Sequence, residues 1–181
     1  RPFVGRAGQV LDDLLASVGL EREEVYITNV VKDRPPGNRD PHVAEIRTYA
    51  PYLSRQMAII EPSVIATLGR FAMDFFLEHF DLPEQGQPIG ALHGKTLEAE
   101  ASYGPVAVVP LYHPAAGFYN PDLWEVMAED FRVLERFAEG GRAHVTTRRS
   151  EGGARSSPGE GEGGWLRRLS RTRMLGTCWI R

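Results

Sequence analysis

Thirteen consecutive residues, Asn29-Val30-Val31-Lys32-Asp33-Arg34-Pro35-Pro36-Gly37-Asn38-Arg39-Asp40-Pro41, hold the densest chemistry in the chain. Lys32, Arg34 and Arg39 supply fixed positive charge. Asn29 and Asn38 supply carboxamides, each with a donor and an acceptor side by side. Two adjacent prolines and a later Asp-Pro fix φ and remove backbone donors, so the segment must leave any sheet as a stiff loop. A strand that ends in an amide and runs into a rigid basic loop suits a polyanion that also presents a small polar group. A solvated turn after an edge strand would need only one Pro-Gly or Asn-Asp pair. Farther on, His113 follows an apolar run and precedes Pro114, which restricts it to extended backbone.

The elements that must carry these residues follow from periodicity. Gln9 to Gly19 has Val10, Leu11, Leu14, Leu15 and Val18 at helical spacing, with Gly19 as the stop. Residues 25–31 read as an apolar, β-branched strand. Pro41 to about Ile60 reads as a helix with Val43, Ile46, Leu53, Met57 and Ile60 as its stripe, and Pro51 predicts a kink or break. Ser63 to Leu68 is a short buried strand, Gly69 its sharp exit, and Arg70 to Phe80 a helix with Phe71, Phe75 and Phe76 inward. Residues 81–104 suggest a loose hairpin around Gly94-Lys95. Pro105 to Leu111 is a third buried strand, and Asn120-Pro121-Asp122 caps a last helix, 122–138, whose Leu123, Val126, Met127, Phe131, Leu134 and Phe137 face inward.

Apolar strands alternating with helices argue for a parallel sheet covered on both faces. Ligands of such sheets sit at the carboxyl ends of the strands. Asn29, Gly69-Arg70 and His113 all fall there.

Composition sets bounds. At 181 residues the chain suits one domain with a real core. The formal charge of −3 hides an asymmetry: residues 1–139 hold 12 Lys and Arg against 21 Asp and Glu, a net of −9, whereas residues 140–181 hold 9 against 3, a net of +6. An acidic domain binds phosphates only through a locally basic face. The lone Cys178 excludes an internal disulfide framework. No apolar run is long enough to span a membrane and no leader is evident, so the expectation is a soluble, cytoplasmic protein. The chain lacks an initiator Met and opens inside a motif, which reads as a fragment or an incomplete gene model. From Gly140 onward nine glycines, many serines and arginines, and little periodicity predict a disordered basic tail or a frameshifted reading. The domain reading is therefore 1–139 as the folded unit and 140–181 as the tail.

Three motifs together resemble those of the iron–sulfur type (family four) uracil-DNA glycosylases: Arg1-Pro2-Phe3-Val4-Gly5-Arg6-Ala7-Gly8, the Asn29–Pro41 run, and Leu111-Tyr112-His113-Pro114-Ala115-Ala116. They come in the family's order and cover roughly residues 1 to 138. The resemblance implies an α/β three-layer sandwich around a central, mainly parallel four-stranded sheet. It implies a DNA-repair hydrolase that flips uracil out of single- or double-stranded DNA and cuts its N-glycosidic bond. By the same resemblance, Phe3 stacks on the flipped base. Asn29 reads the uracil edge, its amide matching the O4 acceptor and the N3–H donor. His113 donates to O2 as negative charge builds on the leaving base, the logic of an oxyanion hole. Lys32, Arg34 and Arg39 face DNA, and Phe118 or Tyr119 fills the emptied stack. His42, His79, His93 and His144 lack comparable settings and are given surface or core roles.

The resemblance also has breaks. The family's water-activating carboxylate belongs to a Gly-Glu-x-Pro-Gly segment upstream of the Arg-Pro-Phe-Val-Gly motif, and no Asp or Glu within 1–138 matches it. The family holds a four-iron, four-sulfur cluster on four cysteines, yet two of those positions are Asp33 and Tyr49 here. Cluster iron needs thiolates, so no metal or cofactor is expected; Asp33 could instead pair with a nearby Arg. The expected partner is uracil-containing DNA, with no membrane, and the expected state a prokaryotic monomer. A competing reading is a uracil-DNA binding module without turnover, or a polymerase-associated relative. The family's trapping branch, with its basic insertion and reactive His, is disfavoured by Gly37-Asn38-Arg39-Asp40-Pro41. A generic nucleotide binder is disfavoured by the lack of a P-loop pattern.

Overall fold

The structure is a computed structural model that describes residues 3, 5–33, 35–138 and 174–178. Its elements are α1 (Arg6–Ser17), β1 (Val25–Thr28), α2 (Val43–Ile60), β2 (Val64–Leu68), α3 (Arg70–His79), α4 (Ile89–Leu92), β3 (Leu97–Ala101), β4 (Gly104–Leu111), α5 (Leu123–Phe131) and β5 (Met174–Cys178). The strands form one sheet in the order β1-β5-β2-β4-β3. β1, β5, β2 and β4 run parallel, and β3 joins the edge antiparallel to β4.

Strand alternation splits the core in two. On one face Val64, Ala66 and Leu68 of β2 and Val109 and Leu111 of β4 pack with Leu11, Leu14 and Leu15 of α1 and Met127 and Phe131 of α5. On the other, Ile65, Val106 and Val108 pack with Leu53 and Met57 of α2 and Met73, Phe76 and Leu77 of α3. Each such side chain contributes about 1.5–3 kcal/mol on full burial. Helices thus cover both faces of an α/β sheet, as the alternation predicts.

Several expectations need correction. The sheet has five strands, not four. β1 stops at Thr28 rather than reaching residue 31. Val30 and Val31 are buried, 0% and 2% exposed, but in bends; Val30 packs with Leu53, Met57 and Ile65. Their apolar character served a core anchor, not a ladder. α2 runs through Pro51 as one 18-residue helix. The hairpin turns at Ser102-Tyr103, since β3 pairs Ala101 with Gly104; Gly94 instead follows the short α4. The last helix passes through a 3₁₀ turn at Arg132–Leu134 before helical residues resume at 135–138. Finally, Met174–Cys178, which the sequence reading left in the tail, is a strand between β1 and β2. The tail's residues 139–173 and 179–181 lie outside the described residues.

Candidate active site

The parallel register brings three strand ends to one edge. Thr28, Thr177, Thr67 and Pro110 stand in line across β1, β5, β2 and β4. One residue further lies Asn29 just past β1, two residues past Thr67 lies Gly69 just past β2, and three past Pro110 lies His113 beyond β4. Asn29, Gly69 and His113 therefore follow the carboxyl ends of parallel strands, where ligands of such sheets bind.

His113 is held by backbone. It caps the 3₁₀ turn Pro114–Phe118, and its Nδ1 accepts the Ala115 N–H at 3.0 Å. A ring nitrogen that accepts a hydrogen bond carries no proton, so the neutral ring has its hydrogen on Nε2. Nε2 is thereby a donor, the form that the oxyanion role requires. Phe3 stacks on the imidazole with ring centroids 5.6 Å apart and an interplanar angle of 21°. Phe3 is only 3% exposed and joins the core beside α1. The ring thus backs the histidine. Its backbone φ of 58° is a left-handed conformation that costs a non-glycine residue about 1–3 kcal/mol.

Asn29 lies just past β1, partly buried. Its Oδ1 is fully buried and has no hydrogen-bond partner among the described residues. Leaving a buried carboxamide oxygen without a partner costs about 1–3 kcal/mol.

The loop cations are engaged differently from the expectation. The Lys32 ammonium donates to Thr28 Oγ1 at 2.7 Å, the Asn29 carbonyl at 2.8 Å and Gln56 Oε1 at 3.0 Å. That uses all three of its protons, and burial lowers its pKa. Arg39 grips Glu45 with both terminal nitrogens, at 2.7 and 2.8 Å. That contact, and the His42 N–H on the same carboxylate, hold Glu45 at about 2. Lys32 and Arg39 thus act first as pins of the loop. Arg34 lies outside the described residues. Arg70, at the start of α3, reaches Asp40 at 2.7 Å.

The two wedge candidates separate cleanly. Phe118 is partly buried under the Arg6 guanidinium, 4.6 Å from its centroid, and meets Trp124 edge-on at 5.6 Å. Tyr119 is 84% exposed. The other histidines have structural surroundings: His79 stacks on Phe75, His93 pairs with Asp130 at 2.8 Å, and the His42 backbone caps α2.

Asp33 and Tyr49, the two expected thiolate positions, do meet: the Tyr49 hydroxyl donates to the Asp33 carboxylate, and that bond raises the phenol's pKa. Neither is a thiolate, and no group of three metal-ligating side chains occurs among the described residues. These side chains do not fit a thiolate-held cluster.

Three supports surround these residues, of which sequence reasoning missed Gly8 and Gln56. Gly69 has φ +89°, and a Cβ there would sit 3.2 Å from His113 Cβ. At Gly8 a Cβ would lie 2.0 Å from the Phe3 carbonyl oxygen. Gln56 receives Lys32 while its amide donates to Tyr26 Oη at 2.9 Å. Only Gly69 left a signal, as a glycine directly after a buried strand.

Comparison with known proteins agrees with this geometry. Residues 1–135 match the family model of the Uracil DNA glycosylase superfamily. A Type-4 uracil-DNA glycosylase of Archaeoglobus fulgidus is 49% identical over 133 residues, 74% of this chain and 66% of the relative. One from Sulfurisphaera tokodaii is 43% identical over 139 residues, 76% of this chain and 62% of that protein. A DNA polymerase of Bacillus phage SP01 is 28% identical over 139 residues, which are 76% of this chain and 14% of that protein. The chain spans less than two thirds of the two glycosylases it resembles. With strand ends, motifs and family match in agreement, the chain belongs to the uracil-DNA glycosylase superfamily.

Proposed function

We propose that this chain carries the base-reading and leaving-group parts of a DNA-repair glycosylase that hydrolyses the N-glycosidic bond of deoxyuridine. The observation that carries the reading is the buried, unpartnered Oδ1 of Asn29. Uracil N3–H would satisfy it, while the amide N–H of Asn29 donates to O4. Cytosine offers a bare N3 and an N4 amine, so both groups of Asn29 would face the wrong partner, at about 1–3 kcal/mol each. His113 Nε2–H donates to O2 as the bond breaks. Because the donor is fixed by the Ala115 N–H before the reaction, little reorganisation opposes it. Phe3 forms the aromatic wall behind His113.

Phe118 or Tyr119 enters the emptied stack; the 84% exposure of Tyr119 favours it over Phe118, which packs against Trp124. Lys32, Arg34 and Arg39 put positive charge on the loop that faces DNA, in a domain otherwise acidic. The protein acts as a monomer in a prokaryotic cytoplasm on single- or double-stranded DNA and needs no cofactor. No helix among the described residues is long and apolar enough to cross a membrane.

Incubating the complete protein with uracil-containing oligonucleotides, then cleaving abasic sites with alkali, tests this. Strand scission only where uracil stood is expected. Binding of uracil-DNA without scission would favour the non-catalytic module, a reading to which the phage polymerase match lends some support.

A further inference from the structure

The loop and α2 meet as a ladder. Lys32 bonds Gln56, Asp33 bonds Tyr49, and Arg39 bonds Glu45. As the loop number rises the helix number falls, so the loop runs antiparallel to α2. Residues 45, 49 and 56 are spaced by four and seven, which places them on one helical stripe. The lower rung also ties the Asn29 carbonyl directly, through Lys32 Nζ at 2.8 Å. Prolines 35 and 36 stiffen the span between the second and third rungs.

We propose that these three pairs are positioning residues that fix the orientation of Asn29, with the Asp33–Tyr49 bond serving as the middle clamp at the two positions where the family places thiolates. The loop is then set by hydrogen bonds from α2 rather than by iron. This rests on the proposed function for what Asn29 does, but not for how the loop is held. The chemistry favours the ladder over a surface accident on two grounds. All three rungs recur on one stripe, and each uses a different donor–acceptor type: ammonium to amide, phenol to carboxylate, guanidinium to carboxylate. A slipped register would pair wrong partners, so the ladder selects one alignment.

The test uses the complete protein with Tyr49→Phe, which removes one oxygen, and with Asp33→Asn, whose amide oxygen can still accept from the phenol. Hydrogen exchange of amides 29–40 is read alongside single-turnover uracil release. Tyr49→Phe should speed loop exchange by about two- to fivefold, the scale of one net hydrogen bond discounted for exposure. Exchange in β2 and β4 should not change. Asp33→Asn should stay near wild type. The triple variant Tyr49→Phe, Gln56→Ala, Glu45→Gln should multiply the loop effect, raise KM for uracil-DNA and reduce discrimination against cytosine. Unchanged loop exchange in the triple variant overturns the ladder. Faster loop exchange in the variants, of a protein whose wild type releases no uracil, would support the ladder and overturn the glycosylase reading instead.

Discussion

The two walls of the site are held by different physics. On the His113 side the supports are buried or made by backbone: the Ala115 N–H on Nδ1, the Phe3 ring, and Gly69, whose N–H bonds the Leu111 carbonyl at 2.8 Å. On the Asn29 side they are long polar side chains near solvent, with Arg39 37% and Glu45 34% exposed. Buried contacts are little screened by salt. Exposed pairs are weak one by one and fade with ionic strength. The wall that carries His113 is thus built rigid, and the wall that carries Asn29 is built adjustable.

That contrast can be broken most sharply at His113. His113→Ala should slow uracil release by about 10²–10³ while DNA binding is largely kept, the usual cost of one lost oxyanion-type donor. Near-wild-type single-turnover rates would remove His113 from the chemistry. Gly69→Ala comes next. It puts a Cβ against His113 in a left-handed backbone and should cost about 1–3 kcal/mol in stability. It should also slow the chemical step without altering base choice; thermal unfolding and single-turnover rates check both. A change in uracil-over-cytosine preference would mean that the two walls are coupled.

On the other wall, Asn29→Asp should lower activity on uracil and relax selectivity toward cytosine. A carboxylate cannot donate to O4 but can accept from an N4 amine. Unchanged uracil release with cytosine still rejected would show that Asn29 does not read the edge. The smallest effect is titration of the third rung. Arg39, then the His42 N–H, lower the Glu45 carboxyl from 4.5 to about 2. A depressed carboxylate stabilises the fold above its unfolded value, so this rung is complete above about 4.5 and is lost as pH falls through about 2. NMR titration of the Glu45 side chain reads it directly. A midpoint near 4.5 would show that the pair does not form in solution.

The sequence alone determined the parts whose causes are local. Helical stripes, buried strands, the stop at Gly19 and the strand exit at Gly69 were legible because propensity and period act over a few residues. So were Asn29 and His113, since both follow apolar strands and parallel strands must end on one edge. What only the tertiary structure decided depends on partners distant in sequence. Val30 and Val31 look like strand but bend away and are buried, Val30 in the core with Leu53 and Ile65. Pro51 did not break α2, whose Leu53 and Met57 are buried in that same core. Met174–Cys178 is too short to predict by itself and becomes a strand only where both β1 and β2 supply ladder partners. Above all, Lys32 and Arg39 read as free cations because charge is visible in sequence, whereas their acceptors, Gln56 and Glu45, are chosen by how the loop lies along α2. Residue type sets what a side chain can bond; the fold sets which partner is within about 3 Å to accept it.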